Sequence, residues 1–331
     1  MSRKEVYLVC EEKHVREEIF EKFFKRQNIR FKKIYLFKKI EKSNSLYRKN
    51  LCLLIKKIRR KKIGLLIYCC LNSNHLISNF PRFPKIKKIL DIYDPKDLIN
   101  NTHEDAKNEL KICNQFDLIA CRDPRLNILA KKLHYKSLKN RMVYLPDLLS
   151  NEIRRAGKIK QNKIVSVGWI DGIFNPLSEL NKIISCFQKP LDIIPSKFQL
   201  NEIKKQTKFK VIVPRTKKAY LKEIQKYKYG FVQPPPKGCD GQYIYSDWYR
   251  KNASSSRLSD YLNYNLTPLI PKENKYQIWF AKKSNKQSLT YETVNGKIKI
   301  KKNKVNKDSK IIILSFMNGL QKISKIYENI S

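Results

Sequence analysis

The stretch Ile63–Cys70 reads IGLLIYCC and is a continuous apolar run. A strand that is buried on both faces has this composition, because helices cover both sides of a parallel sheet. Outward from this stretch, apolar runs of strand length alternate with segments whose apolar residues have helical spacing. Val15–Arg26 is one such segment, with apolar residues at Ile19, Phe20 and Phe23. This alternation predicts parallel sheets covered by helices.

The alternation continues along the whole chain. The predicted strands are Glu5–Cys10, Phe31–Phe37, Ile63–Cys70, Lys88–Tyr93, Asp117–Cys121, Arg141–Leu145, Lys163–Gly168, Leu191–Ile194, Phe209–Val213, Tyr229–Gln233 and Leu266–Ile270. The predicted helices are Val15–Arg26, Leu46–Arg60, a segment around Glu104–Cys113, Asp123–Leu133, Leu177–Phe187, Gln199–Gln206, Lys217–Lys226, Ser254–Tyr264 and Ile311–Asn329. Two segments differ from this pattern: Pro234–Ala253 is a long connection rich in proline and aromatic residues, and Lys297–Lys310 predicts a solvated hairpin or loop.

A polar, charged stretch divides the chain into two halves. Asn151–Asn162 reads NEIRRAGKIKQN and has few apolar residues, so we expect the interdomain linker there. A length of 331 residues also favours two domains. The sequence therefore predicts an α/β protein with two doubly wound Rossmann-like domains that face a cleft, over residues 1–153 and 154–310.

The chain is strongly basic. Lys and Arg number 71 against 29 Asp and Glu, which gives a formal net charge of +42. This excess indicates either a solvated lysine surface or an anionic partner, such as a membrane surface or nucleic acid. Lysines far outnumber arginines. Because nucleic-acid binders more often use the planar fork of arginine, the solvated surface is the favoured interpretation and nucleic acid is unlikely as a partner.

Cysteine and glycine usage excludes several classes of protein. The eight Cys contain no CxxC pair, so neither a zinc site nor a disulfide framework is indicated, and a reducing cytoplasm is expected. No GxGxxG follows the first strand and no GxxxxGK[ST] occurs, which argues against dinucleotide oxidoreductases and P-loop nucleotidases. The N-terminus lacks a signal-peptide pattern, and the longest apolar run, Ile63–Leu71, is too short to span a bilayer.

Polar residues follow several predicted strands, at the edge where open parallel sheets bind their ligands. His75 follows Ile63–Cys70, and Asp94 follows Lys88–Tyr93. An imidazole or a carboxylate can act as a general base that accepts the proton of a hydroxyl group. Asp94 and His75 are therefore candidate catalytic residues, although Asp94 also suits a turn before Pro95 and His75 a surface loop.

The segment Ser254–Ile270, SSSRLSDYLNYNLTPLI, is the densest in polar groups. Its serines open a predicted helix, and the N–H groups and partial positive charge of a helix N-terminus suit a phosphate. Arg257 adds a permanent bidentate donor, and Asp260, one turn further on, could accept from a ribose hydroxyl. The alternative is a capped amphipathic helix with an Arg257–Asp260 pair on its surface.

This segment resembles the S-K-L-x-E-Y-L-x-x-G-x-P-V-I signature in the C-terminal domain of the two-domain GT-B glycosyltransferases. The matching positions are Ser256, Arg257, Leu258, Asp260, Tyr261, Leu262, Pro268 and Ile270. The segments KILDIYDPKD, RMVYLPD and KIVSVG are similar to strands of that family and occur in the same order. By this resemblance the sequence is identified as a divergent GT-B-fold glycosyltransferase.

The resemblance implies transfer of a sugar from a nucleotide-sugar donor to a glycan or lipid-linked acceptor, with neither a cofactor nor a bound metal. Helix N–H groups and basic side chains would stabilise the diphosphate instead. The donor-binding residues that it implies are Gly168, Trp169, Pro214, Arg215, Ser255, Ser256, Arg257, Asp260 and Tyr261. The serines and Arg257 would meet the phosphates and Asp260 the ribose. Pro214 and Arg215 would border the base.

The resemblance also implies a role for each part of the chain. Residues 1–153 would form the acceptor-side domain, with Asp94 as the base if the enzyme is inverting. Residues 154–310 would bind the nucleotide-sugar, and residues 311–331 would form a helix that packs back toward the N-terminal domain.

Two departures from the family pattern leave the activity open. Trp169 stands where many members carry an arginine, and Asn252 replaces the first acid of the E-x7-E pattern. We predict a cytoplasmic, hexosyltransferase-like enzyme of surface polysaccharide biosynthesis, which the basic stretch Lys22–Lys62 could hold at an anionic membrane surface. The alternatives are a catalytically inactive relative and a basic nucleic-acid-binding α/β protein.

Overall fold

The chain forms two compact units, one of Met1–Asp147 with Leu314–Ser331 and the other of Leu148–Ile313. The computed structural model describes residues 5–10, 15–36, 49–50, 52–56, 63–70, 86–92, 111–122, 141–145, 161–168, 185, 189–195, 200–201, 203, 209–235, 242, 247–252, 256–284, 286–295, 297–303 and 310–329. The predicted helix Asp123–Leu133 and most of the predicted linker lie outside these residues.

The first unit is built on a six-stranded parallel sheet with the order β2-β1-β3-β4-β5-β6. Its strands are β1 (Glu5–Cys10), β2 (Phe31–Tyr35), β3 (Ile63–Cys70), β4 (Lys87–Ile92), β5 (Leu118–Cys121) and β6 (Met142–Tyr144). All six were predicted, with ends that differ by at most two residues. They could be predicted because the inner strands are buried on both faces and so read as apolar runs.

The helix α1 (Val15–Arg26) packs on this sheet through Phe20 and Phe24, which are fully buried. Acidic residues lie in its first turn and basic residues in its last turn, which suits the helix dipole. Asn28 then adopts a left-handed conformation with φ 53°, and the Ile29 N–H donates to the Phe24 carbonyl at 2.8 Å. This cap ends the helix and turns the chain into β2.

A buried ion pair ties α1 to the sheet. The Arg16 guanidinium donates to both carboxylate oxygens of Asp91 on β4, with an Nε–Oδ2 distance of 3.0 Å. Its Nη1 also donates to the Leu145 carbonyl at 2.7 Å. Both charged side chains are only 1% exposed. Because a buried charge without its partner is costly, this pair makes the position of α1 strongly dependent on both residues.

The second unit has a seven-stranded sheet with the order β13-β12-β11-β10-β7-β8-β9, in which only β13 is antiparallel to its neighbour. The strands are β7 (Gln161–Gly168), β8 (Leu191–Pro195), β9 (Lys210–Val211), β10 (Tyr227–Phe231), β11 (Thr267–Pro271), β12 (Ser288–Val294) and β13 (Lys297–Asn303). The helices are α2 (Lys217–Ile224), α3 (Asp247–Asn252), α4 (Ser256–Asn263) and α5 (Lys275–Lys283). Together the two sheets confirm the predicted α/β architecture with two doubly wound domains.

One face of this sheet carries a core to which α2, α4 and α5 contribute, and the other face carries a second core that includes Ile203. Asn265 ends α4 with φ 59°, as its tolerance of left-handed conformations allows. The Leu266 N–H then donates to the Tyr261 carbonyl at 2.8 Å and leads the chain into β11. Ser256–Asn263 and Thr267–Pro271 therefore form a helix and a strand within the segments that the sequence predicts, while Ser254 and Ser255 lie outside the described residues.

The lysine-rich segment after β12 is a strand at the edge of the sheet. Lys297, Lys299 and Lys301 of β13 alternate along it and are exposed. Lysines on an edge strand discourage pairing with another chain. The charge of this segment is therefore compatible with a strand at the edge of the sheet. The sequence predicted a solvated hairpin or loop over Lys297–Lys310, but its first seven residues form a strand that pairs with β12, which was not predicted, and residues 304–309 lie outside the described chain.

The long helix α6 (Lys310–Glu328) ends the described chain. Its residues from Leu314 onward group with the first unit, where Leu320 and Ile323 are buried. A Cβ on Gly319 would lie 2.6 Å from the Tyr144 carbonyl oxygen, so glycine allows the helix to approach β6 closely. Within the described part of the chain, no helix is both long enough and apolar enough to cross a bilayer.

Candidate functional site

The second sheet changes direction between β7 and β10. From β7 the chain builds outward through β8 and β9, and it then returns to place β10 on the other side of β7. In open parallel sheets, ligands bind outside the carboxyl ends of the strands at such a switch point. The residues that end β7 and β10, and the helices next to them, therefore form the candidate site.

Gly168 ends β7 in a conformation that suits glycine, with φ +84°. A Cβ at this position would lie 3.1 Å from Nε of Arg257. The arginine side chain therefore lies directly against the end of β7. Because Arg257 is the second residue of α4, the contact also places the N-terminus of that helix beside the switch point.

The period of α4 separates its side chains into two sets. Leu258, Tyr261 and Leu262 are buried in the core, whereas Arg257 and Asp260 are only partly buried. Residues three apart lie on the same side of a helix, so the guanidinium and the carboxylate project together. The first-turn N–H groups of α4 add partial positive charge at the same end. This corner can bind an anion and, next to it, a hydroxyl group.

Asp260 is held by a residue that the sequence analysis did not identify. The hydroxyl of Tyr220, on α2, donates to Asp260 Oδ2 at 2.9 Å. Burial, followed by the nearby Asp260 charge, raises the pKa of Tyr220 well above the usual value of a tyrosine. The phenol therefore keeps its proton and acts as a donor at neutral pH. No local signal marked Tyr220, because it lies 40 residues before Asp260.

Tyr261 is part of the core, and this corrects the expectation that it contacts a donor. Its side chain is 0% exposed, and its hydroxyl lies 3.0 Å from the Phe231 carbonyl oxygen and accepts from the Val167 N–H at 3.3 Å. A Cβ on Gly230 would lie 2.5 Å from its ring atoms Cδ1 and Cδ2. Tyr261 shares the buried face of α4 with the leucines, so it holds the helix against β7 and β10.

A second polar residue at the switch point was also missed. Gln233 follows β10 and donates from Nε2 to Ser166 Oγ of β7 at 3.1 Å. This bond crosses between the two strands that flank the change of direction. The only local signal was its place at the end of a predicted strand, which many polar residues share.

Pro214 and Arg215 lie between β9 and α2, and Arg215 is exposed. Thr216 caps the helix, because its Oγ1 accepts from the Ala219 N–H at 3.1 Å. The turn that contains Pro214 and Arg215 therefore leads into the helix that carries Tyr220. The structure brings Gly168 and Arg257 together, with Asp260 one turn along α4 and with Pro214 and Arg215 in the turn before α2.

Several predicted site residues lie outside the described part of the chain. These residues are His75, Asp94, Trp169 and Ser255. Ser256 lies at the N-terminus of α4, two residues after the start of the predicted helix Ser254–Tyr264. Among the residues that the structure does describe, no cluster of three or more His, Cys, Asp or Glu side chains could hold a metal ion. The expectation that the reaction needs no metal and no cofactor stays a prediction.

Comparison with known proteins supports this architecture. No protein-family model and no curated protein matches the sequence. The solved sucrose-phosphate synthase from Thermosynechococcus elongatus is similar with a TM-score of 0.58 at 8% identity, over 98% of this chain and 91% of that one. Arabidopsis thaliana UGT89C1, complexed with UDP-L-rhamnose, is similar with a TM-score of 0.50 at 9% identity, over 100% of this chain and 94% of that one.

At identities this low, structural likeness shows the fold alone. Both of these proteins are GT-B glycosyltransferases. The chain therefore has the GT-B fold of two Rossmann-like domains, which confirms the fold that the sequence resemblance implied.

Proposed function

We propose that this protein is a GT-B-type glycosyltransferase that moves a sugar from a nucleotide-sugar donor to an acceptor hydroxyl. The observation that carries the proposal is the position of Arg257 against Gly168, at the switch point of the second sheet. The GT-B fold supports it, as do the matches between Ser254–Ile270 and the donor-domain signature.

The donor diphosphate would bind at the N-terminus of α4. The first-turn N–H groups, the serines at positions 255 and 256, and the Arg257 guanidinium would share the charge of the two phosphates. When the acceptor oxygen bonds to the anomeric carbon, the bond to the nucleoside diphosphate breaks and negative charge grows on the leaving oxygen. Donors that are already in place stabilise this charge without reorganisation.

The rest of the nucleotide would lie along α4 and α2. Asp260 would accept a hydrogen bond from a ribose hydroxyl, and Pro214 with Arg215 would border the base. Gly168 would leave room for the donor beside the end of β7. Trp169, the next residue in the chain, would contact the donor at the same place. These assignments assume that Arg257 and Asp260 face one ligand, as their i, i+3 spacing on α4 supports.

The acceptor side is proposed for residues 1–153. Asp94 would take the proton from the acceptor hydroxyl if configuration is inverted, with His75 as the second candidate base. The proposed acceptor is a glycan or a lipid-linked glycan in surface polysaccharide biosynthesis, and the transferred group a hexose. These finer assignments rest on the family resemblance.

A screen for binding tests the donor site. Thermal shift against UDP-, GDP-, ADP-, CMP- and dTDP-sugars should give stabilisation by one class, because a ligand that binds the folded state raises the melting temperature. Arg257→Ala should weaken binding by about 10- to 100-fold, the value of one hydrogen bond to a charged group at roughly 1.5–3 kcal/mol. Asp260→Ala should weaken it in the same direction. Arg30→Ala, which removes an exposed arginine from the first unit, is the matched control and should bind normally.

The outcomes separate the competing functions. Normal donor binding by both site variants would show that the site assignment is wrong. Binding without transfer to any acceptor would favour an inactive relative. Tight, salt-sensitive retention on DNA or RNA without stabilisation by any sugar nucleotide would favour the nucleic-acid-binding alternative.

A peripheral membrane position in the cytoplasm is proposed from the basic stretch Lys22–Lys62. Within it, Lys22, Lys25 and Arg26 of α1 are exposed. Each such cation near an anionic bilayer contributes about 1 kcal/mol, which salt screens. Binding to liposomes with anionic lipid should weaken as salt is added, and partitioning that salt leaves unchanged would count against this part of the proposal.

A further inference from the structure

The candidate site contains a side-chain link between two helices that are distant in sequence. Tyr220 of α2 donates to Asp260 Oδ2 of α4 across 2.9 Å. Both helices contribute to the same core on one face of the sheet. The link therefore joins the helix that follows β9 to the helix that begins at the switch point.

Tyr220 is well suited to hold another side chain in place. Its own backbone is fixed by the start of α2, since the Tyr220 N–H donates to the Thr216 carbonyl at 3.0 Å. Its ring packs against the core that Leu258 and Tyr261 help to form. Because both the backbone and the ring of Tyr220 are held in place, its hydroxyl is directed to one point.

The charge states of the pair keep the link intact over the ordinary pH range. Burial and the Asp260 charge raise the pKa of Tyr220, so the phenol stays protonated and continues to donate. A charged acceptor strengthens such a hydrogen bond. The carboxylate is thereby limited in its rotation before any ligand arrives.

We infer that Tyr220 is a positioning residue that directs the Asp260 carboxylate toward the sugar ring of a bound nucleotide, and thereby favours ribose over deoxyribose. The inference rests on the proposed function, because it needs a nucleotide at this site. An acceptor group that is already oriented loses less freedom when it binds a hydroxyl group. A site built to bind a hydroxyl discriminates against a ligand that lacks it.

The test compares matched nucleotides on the full chain. Titration calorimetry with UDP, GDP, ADP and CDP, and with their 2′-deoxy and 3′-deoxy counterparts, gives the preference of the wild type for a ribose hydroxyl. Tyr220→Phe should weaken binding of the preferred ribonucleotide by about 3- to 10-fold, the effect of freeing one side chain. It should leave the affinity for the counterpart that lacks the recognised hydroxyl unchanged. The ratio of the affinity for the ribonucleotide to the affinity for its deoxy counterpart should therefore fall by the same roughly 3- to 10-fold factor.

Two controls distinguish positioning from general stability. Tyr229→Phe removes a phenol hydroxyl from the same sheet, where the ring packs on the opposite core, and should leave the preference intact. In an Asp260→Ala background, Tyr220→Phe should have no further effect on nucleotide affinity, because the residue that it positions is already gone.

The outcomes also distinguish failure of this inference from failure of the proposed function on which it rests. Equal weakening of ribose and deoxyribose forms by Tyr220→Phe, or an unchanged preference, would overturn the positioning role while the nucleotide site stands. Binding of dTDP alone would overturn the ribose preference while the nucleotide site stands. Failure of dTDP and of all four ribonucleotides to bind the wild type would overturn the proposed function and this inference with it.

Discussion

Replacing Gly168 with alanine should disturb both the end of β7 and the arginine beside it. The backbone there has φ +84°, and an L-residue in a left-handed conformation costs about 1–2 kcal/mol. In a unit of roughly 150–250 residues, this predicts a melting temperature lower by about 2–8 °C. The new Cβ would also lie 3.1 Å from Arg257 Nε, closer than a side-chain Cβ usually packs against its neighbours, so the guanidinium must shift by a few tenths of an ångström.

That movement should weaken binding of the donor diphosphate. A displaced guanidinium loses part of a hydrogen bond worth about 1.5–3 kcal/mol, so we expect an affinity loss of about tenfold. Thermal shift gives the stability, and titration calorimetry with the nucleoside diphosphate gives the affinity. The Arg257→Ala background separates the two effects. Gly168→Ala should still lower the melting temperature there, because the backbone strain remains, but it should no longer change the affinity.

Two results would refute this reasoning. A Gly168→Ala protein with unchanged melting temperature and unchanged affinity would show that neither the strain nor the contact matters. An equal loss of affinity with and without Arg257 would show that the glycine acts on the ligand by some other route than the guanidinium.

Three further predictions concern packing and exposure. Gly230→Ala would place a Cβ 2.5 Å from ring atoms of Tyr261, and overpacking at about 1–3 kcal/mol or more should lower the denaturation midpoint in urea or prevent folding. Asp91→Ala leaves the Arg16 charge buried without its carboxylate, which should reduce the free energy of unfolding by about 3–5 kcal/mol, whereas replacing both residues with apolar ones should recover much of it. Iodoacetamide should label the exposed Cys52 faster than the buried cysteines of the described chain, as mass spectrometry would show, and equal rates would contradict the burial.

Local sequence pattern was sufficient for most of the strands. β1, β3 and β7 are buried between two layers, so their apolar runs predict them without knowledge of their neighbours. The pattern failed where the buried face is polar. β12 carries the buried Ser288 and Thr290, so it lacks the continuous apolar run of an inner strand.

Helices were missed where they lie inside a connection. α3 forms within Pro234–Ala253, which reads as a loop because prolines and glycines precede the helix. α5 was missed as well, although its Asn274 cap accepts from the Gln277 N–H at 2.9 Å. An asparagine directly before a helical pattern of apolar residues is a sequence signal for a helix start, so Asn274 could have marked the beginning of α5.

The sequence by itself determined most of the strands and helices, and it placed Arg257 and Asp260 on one side of a helix, because each of these features follows from the period of a single element. Only the tertiary structure placed Tyr220 on Asp260 and Gln233 on Ser166, and only it turned Tyr261 inward. These contacts depend on β10 lying beside β7. The two strands become neighbours because the chain returns across the sheet after β9. The spacing of residues within a single strand or helix does not predict this return.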